Sequence, residues 1–249
     1  MKPTAVIPLM WEPWEFRPAD LDLPACREKG ILVLGTNEHD PPCKMDPYCG
    51  FLAMKLLFDL GLEGYQSQIL LLGDQPILGG AIEAHLRAVG CRVDCFPSGQ
   101  NDGIGGYEQL AEHFSHHGKD YDLILVAELT DSRCLLGEEG ALSYEMIQKI
   151  NPGVAIGIIT GNIDQRGLRQ SGLYFLPEEI QPFGYLSYQP NQLGPRMILD
   201  LYGGGLKVGE VMARARLAGK NLEETVQITL EKAPALDFSG TESWLAHGD

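Results

Sequence analysis

Residues 68–80 read QILLLGDQPILGG: an apolar run of strand length, a turn carrying Gly73, Gly79 and Gly80, and the start of a helical pattern. A run with no polar face is what a strand covered on both sides requires, and such strands belong to parallel sheets. The same grammar repeats outward from this stretch. Ile77–Val89 has helical spacing, Cys91–Phe96 (CRVDCF) is a strand, Tyr107–His117 a helix and Asp122–Val126 (DLILV) a strand. Ser143–Ile150 is a further helix and Val154–Ile159 (VAIGII) a further strand. Upstream, Tyr48–Leu60 (YCGFLAMKLLFDL) is apolar and too long for a strand, so it reads as a buried helix, while Ala5–Leu9 and Ile31–Leu34 are short strands. Alternating strands and helices with short links, joined by right-handed crossovers, give a Rossmann-like doubly wound α/β fold with a parallel sheet.

After Thr160 the pattern loosens until about Pro195. Two helices then follow, Pro195–Leu217 and Leu222–Lys232, the second opened by Asn221 as N-cap with Glu224 three residues on. Gly203, Gly204 and Gly205 interrupt the first, at about 1 kcal/mol each relative to Ala. Either that helix breaks there or another part of the chain packs closely on it. The expected organisation is a shortened N-terminal half-domain (1–64), a nucleotide-binding domain (65–185) and a C-terminal helical segment (186–249) that packs back on the N-terminal part.

Composition narrows the function. With 19 Lys+Arg against 34 Asp+Glu the formal charge is -15, which disfavours nucleic acid and anionic membrane surfaces as partners. No stretch approaches the roughly 20 apolar residues of a membrane helix. Residues 1–10 lack the apolar core of a secretory signal. Six scattered Cys (26, 43, 49, 91, 95 and 134) suit reduced thiols in a cytoplasmic protein. A small molecule is the expected partner.

The turn Gly73-Asp74-Gln75-Pro76-Ile77-Leu78-Gly79 is the candidate phosphate loop. Glycine there lets backbone N–H groups approach a diphosphate, and the following helix start adds positive potential. Its outer glycines are six apart and its middle glycine is missing, and the next strand ends Cys95-Phe96-Pro97-Ser98 with no carboxylate for a ribose. Ser98 tolerates a 2′-phosphate and so favours NADP over NAD. Glu128 and Thr160, at the ends of later strands, are expected to line the same site. The run also has the Gly-Asp spacing of cobalamin-binding domains, but Pro76 stands where cobalt-ligating members place a His.

Several segments together resemble the D-2-hydroxyacid dehydrogenase superfamily. They are Ala19–Val33 (ADLDLPACREKGILV), Thr36–Leu57, the Gly73–Gly79 turn, Leu135–Gly153 (LLGEEGALSYEMIQKINPG) and Pro182–Arg196 with the helix after it. The resemblance implies two domains around a cleft, an NAD(P) cofactor and oxidoreductase chemistry. It also marks departures. Asn162, in Thr160-Gly161-Asn162, stands where the family has its substrate-binding Arg, and Pro182 is followed by Phe183 where the family has its acid His. Neither replacement supplies a cation for a carboxylate or a proton for an alkoxide.

Other side chains are candidates for those roles. His39, flanked by Glu38 and Asp40, is a candidate proton donor, or else part of a solvated turn. Tyr188, within the cluster Tyr185, Ser187, Tyr188, Gln189 and Asn191, is a second candidate, or a tyrosine packed on a neighbouring subunit. Arg166 and Arg169 are candidate replacement cations. A metal at His39, Cys43, Asp46 and Cys49 is not expected, because the Cys spacing fits no zinc knuckle; His113 and His117, four apart, could share a metal, but the favoured reading is interaction of these His with the helix C-terminus. Trp11 and Trp14 read as a core or interface anchor. The expectation is an NAD(P)-dependent oxidoreductase for a small polar metabolite, with catalytic groups at His39, Tyr188 and Asn162. The alternative is a non-redox ligand-binding or regulatory protein, or another enzyme class, on a degenerate Rossmann scaffold. The short first half-domain buries too little surface to stand alone, which predicts a homodimer.

Overall fold

Leu70, Leu72, Ile124, Val126, Ile156 and Ile158 alternate along three strands with Ile69, Leu71, Leu123, Leu125, Ala155 and Ile159, and both sets are buried. A sheet with two apolar faces must be covered on both, and in the computed structural model it is. The structure describes residues 2, 4–10, 19–41, 43, 45–73, 78–97 and 105–237. The chain divides into two compact units, Asp46–Gly194 and Met1–Met45 with Pro195–Asp249.

In the larger unit the strands are β3 (Gln68–Gly73), β4 (Arg92–Phe96), β5 (Leu123–Ala127), β6 (Ala155–Thr160) and β7 (Phe175–Leu176). They form one sheet in the order β4-β3-β5-β6-β7, with every pair parallel. Leu52, Ala53, Leu56 and Leu57 of α2 (Met45–Asp59) and Ile82 and Leu86 of α3 (Gly79–Ala88) cover one face. Leu110 and Phe114 of α4 (Leu110–His117), Ile147 of α5 (Tyr144–Ile150) and Leu168 of α6 (Gln165–Ser171) cover the other. The expected doubly wound parallel sheet is therefore present. α2 stands with this unit, because its apolar side chains belong to the sheet's core. The chain runs from β3 to β4 on one side and returns to β5 on the other, so the strand order reverses between β3 and β5. In open parallel sheets such a switch point opens a crevice at the strands' C-terminal ends.

The smaller unit is built on β2 (Leu32–Thr36), paired in parallel with β1 (Val6–Pro8) and antiparallel with β8 (Ala235–Leu236). Ile31 and Val33 pack with Leu23 and Cys26 of α1 (Leu23–Glu28). Leu32 and Leu34 pack with Val208 and Met212 of α7 (Arg196–Leu217) and Val226 of α8 (Leu222–Lys232). α8 opens with a full capping box between Asn221 and Glu224. α7 runs unbroken through its three glycines: a Cβ on Gly204 would lie 2.5 Å from Cys43 Sγ, and one on Gly205 2.6 Å from Met10 Cγ. Close packing is thus the reason for two of them. None of the six Cys is in a disulfide, and among the described residues no helix is long and apolar enough to cross a membrane.

Candidate functional site at the strand ends

The switch point brings together the ends of β3, β5 and β6. Gly73 is paired with Ala127, and a Cβ on Gly73 would stand 2.6 Å from the Ala127 carbonyl oxygen and 3.4 Å from Gly79 Cα. Only glycine lets strand, neighbouring strand and helix start approach this closely. α3 begins with Leu78 as N-cap, which supplies no side-chain hydrogen bond. Among the described residues no side chain caps the first-turn amides of Gly79, Gly80 and Ala81, which by position lack intrahelical acceptors, and a helix start of this kind can bind an anion. Asp74, Gln75, Pro76 and Ile77, which complete the turn, lie outside the described residues, as do Ser98, Trp11 and Trp14.

Thr160 is fully buried at the end of β6, and its Oγ1 has no hydrogen-bond partner among the described residues. A buried hydroxyl without a partner is a costly arrangement, which a bound ligand or water would relieve. Gly161 follows at φ +143°, a conformation that favours glycine, and a Cβ there would meet Val126 Cγ1 at 2.6 Å.

Glu128 sits beside this crevice but does not face it. Its amide donates to the Thr160 carbonyl at 3.1 Å, and its carboxylate is 1% exposed. Oε2 accepts from the Tyr107 hydroxyl at 2.6 Å, and Oε1 accepts from Thr130 N (2.8 Å), Thr130 Oγ1 (2.9 Å) and Asp131 N (3.0 Å). With its acceptor sites used in this way, Glu128 organises the loop after β5. Burial and then Glu128 push the Tyr107 pKa well up, so this phenol stays protonated. Arg133 lies over the Tyr107 ring at 5.3 Å and pairs with Glu108 and Asp131 at 2.6 Å each. Asn162 Nδ2 donates to the Ser132 carbonyl at 2.6 Å, tying the same loop to the end of β6. Sequence reasoning missed Tyr107 and Arg133, and no local signal links them to residue 128.

The remaining candidates are dispersed. The Tyr188 hydroxyl donates to Asp59, and burial and then that carboxylate raise its pKa, which makes it a poor acid. Its backbone amide and that of Ser187 donate to the Ile159 carbonyl, at 3.3 and 2.6 Å. Arg169 donates to the Glu178 carbonyl at 2.7 Å, and Arg166 lines a separate surface depression with Tyr144 and Asp164. His39 belongs to the smaller unit, where its amide donates to Asn37 Oδ1 at 3.1 Å. Among the described residues no group of three or more His, Cys, Asp or Glu is arranged for a metal.

Asp94, the carboxylate of β4, lines a depression at the opposite, N-terminal ends of the strands with Gln68, Arg92 and Asp122. It accepts from the Tyr121 hydroxyl at 2.5 Å, and that oxygen contacts His113 Nε2 at 2.6 Å. Because the tyrosine proton goes to Asp94, His113 Nε2 is the donor in the second contact. Burial pulls the His113 pKa below its ordinary value of 6.5, while Asp94, 3.7 Å away, opposes the shift. With the folded value lowered, the unfolded chain takes up this proton first. The contribution is intact above about pH 6.5 and is lost as the pH falls below it. In urea titrations His113→Gln is expected to soften the decline of stability just below that pH. An unchanged acid limb would contradict this assignment.

No protein-family profile matches the chain, and no curated protein matches it. Among solved structures it is similar to 2-hydroxyacid dehydrogenase from Ketogulonicigenium vulgare Y25, with a TM-score of 0.52 and 14% identity over 84% of this chain and 74% of that one. It is also similar to the pyruvate reductase of Chlamydomonas reinhardtii, with a TM-score of 0.50 and 15% identity over 81% of this chain and 73% of that one. Likeness at this level of identity bears on the fold, and the chain has the Rossmann-like α/β fold of these dehydrogenases.

Proposed function

We propose that the chain is an NAD(P)-dependent oxidoreductase acting on a small polar metabolite, with substrate contacts and a proton donor other than those the hydroxyacid dehydrogenase resemblance implies. The observation that carries this is the glycine-lined crevice at the β3/β5 switch point, where the N-cap residue of α3, Leu78, gives no side-chain hydrogen bond. Gly73 and Gly79 leave room for a diphosphate, the amides of Gly79, Gly80 and Ala81 donate to it, and Thr160 adds a hydroxyl. Asp74, Gln75, Pro76, Ile77 and Leu78 complete the turn in this proposal, and Ser98 favours NADP over NAD. When bound, the nicotinamide group supplies or accepts hydride. Glu128 acts indirectly, by holding the loop after β5.

Carbonyl reduction also needs a proton. Asn162 has no acidic proton and is engaged by Ser132, and Tyr188 is engaged by Asp59. His39 is the candidate that remains for proton transfer. With Asn162 at the Arg position, a carboxylate beside the reacting carbonyl gains no cation there, so neutral carbonyl compounds are the expected substrates.

The test is oxidation of NADPH and NADH, followed by absorbance, with carbonyl compounds that carry or lack a neighbouring carboxylate. Turnover of the neutral set, lowered at least tenfold by His39→Asn, is the expected result. Turnover confined to 2-oxo acids would contradict the substrate assignment. A non-redox ligand-binding role is the second reading, favoured by Asp94, which is bonded to Tyr121 and leaves the ribose without a carboxylate from β4. Binding of either nucleotide argues against it.

A further inference from the structure

α7 and α8 are joined by residues 218–221, and Val208 and Met212 of the first pack with Val226 of the second. Helices joined by so short a link run in opposite directions. Counting back from the link, Lys207 comes opposite Lys232, and Val211 opposite Ile228. These four line a surface groove of about 450 Å³, together with Arg214, Ala215, Ala218 and Lys220. Its floor is apolar. Val211 and Ala215 are buried, Ile228 is half-buried, and the methyl side chains at 215 and 218 leave room above it.

The rim is cationic. Lys207, Arg214, Lys220 and Lys232 face the groove against one carboxylate, Glu210. Glu210 serves both Lys207 (3.0 Å) and Arg214 (2.8 Å), and Lys220 pairs with Glu224 at 2.9 Å. Lys232 has no partner among the described residues. Four cations against Glu210 and Glu224 leave two positive charges over, in a chain whose net charge is -15. The helix dipoles account for Arg214 and Lys232, which stand in last turns. They do not account for Lys207, in the middle of α7, or for the open apolar floor. On their other side Lys207 and Lys232 border a second depression, with Asp40, Asp200 and Glu231. Carboxylates outnumber cations there, so the groove with the apolar floor is the side that suits an anion.

We propose that the groove between α7 and α8 binds a small amphipathic anion, a medium-chain carboxylate, with its head between Lys207 and Lys232 and its chain along Val211, Ile228, Ala215 and Ala218. From Val211 to Ala218 the floor runs about 10 Å along the helix, which accommodates an octyl chain. Burial of the chain supplies affinity, and the two lysines select the anion over a neutral analogue. A membrane is the wrong occupant, because the recessed floor admits a single chain and a surface of charge -15 is repelled by anionic lipid. The groove lies wholly within the smaller unit, so it stands apart from the strand-end crevice of the larger one.

Calorimetric titration of the full chain with octanoate is expected to saturate at one site per chain, and 1-octanol to bind about tenfold more weakly or worse. Lys207→Gln combined with Lys232→Gln is expected to weaken octanoate by about tenfold. Lys119→Gln combined with Lys149→Gln makes the same charge change at exposed positions of the larger unit, and is expected to leave the affinity within about twofold. Ala218→Trp, also at an exposed position, keeps every cation but fills the floor, and is expected to abolish binding. Absence of saturable binding would overturn the proposal. So would 1-octanol binding as tightly as octanoate, or octanoate binding that survives either the first lysine pair or Ala218→Trp. Co-sedimentation with phosphatidylglycerol vesicles, lost on changing Lys207 and Lys232, would also overturn it, by assigning the groove to a lipid surface.

Discussion

Glu128→Ala is expected to lower the unfolding free energy by about 3–5 kcal/mol, the largest effect of any polar substitution considered for this chain. The carboxylate accepts four hydrogen bonds at 1% exposure. Alanine leaves the Tyr107 hydroxyl and the amides of Thr130 and Asp131 buried or half-buried without their acceptor, and opens a cavity. Glu128→Gln keeps one oxygen for Thr130 and Asp131 and turns an amide toward Tyr107, whose hydroxyl can rotate to accept. Its cost is expected to be about 1–2 kcal/mol. Urea midpoints for both variants test the assignment. Equal losses for Gln and Ala would mean that charge, and not hydrogen-bond geometry, dominates. A loss below about 1 kcal/mol for Ala would mean that the loop after β5 does not depend on Glu128.

Gly73→Ala carries the second large effect, on stability and binding together. The added methyl would stand 2.6 Å from the Ala127 carbonyl oxygen, 3.3 Å from its carbon and 3.4 Å from Gly79 Cα. All three are backbone atoms, so no side chain can swing aside. Either β3 and β5 separate or α3 moves back from the strand end. The expected cost is about 2–3 kcal/mol, with nucleotide affinity reduced at least tenfold as the start of α3 is displaced. Gly153→Ala serves as the control. A Cβ there meets only Asn151 Oδ1, at 3.8 Å, and the change is expected to stay within about 0.5 kcal/mol. Wild-type stability and affinity in Gly73→Ala would remove the steric basis of the proposed site.

The parallel sheet was legible because its strands are buried on both faces and so carry continuous apolar runs. Gln68–Gly73, Leu123–Ala127 and Ala155–Thr160 fall within a residue or two of where those runs lie. The segment after Thr160 was not legible, for a physical reason. α6 has seven residues and buries only Leu168, so it shows no amphipathic period, and β7 has two residues. The glycine run in α7 admitted two outcomes on sequence alone. The choice between them depends on Cys43 and Met10, far away in the chain. The candidate site divides in the same way. Gly73, Gly79 and Thr160 could be found from strand ends and turn chemistry, which are local. The roles of Glu128, Asn162 and Tyr188 depend on Tyr107, Ser132 and Asp59, partners 21 to 129 residues distant, for which one sequence holds no signal.

The proposed function requires a nucleotide held at the end of β3 by backbone amides. Calorimetric titration of the full chain with NADPH and with NADH tests this most directly, because it requires neither the substrate nor the proton donor to be known. Saturable binding at one site per chain, tighter for NADPH, is the predicted result. Absence of any binding heat with either nucleotide at millimolar concentration, in a chain that is folded by circular dichroism, would contradict it.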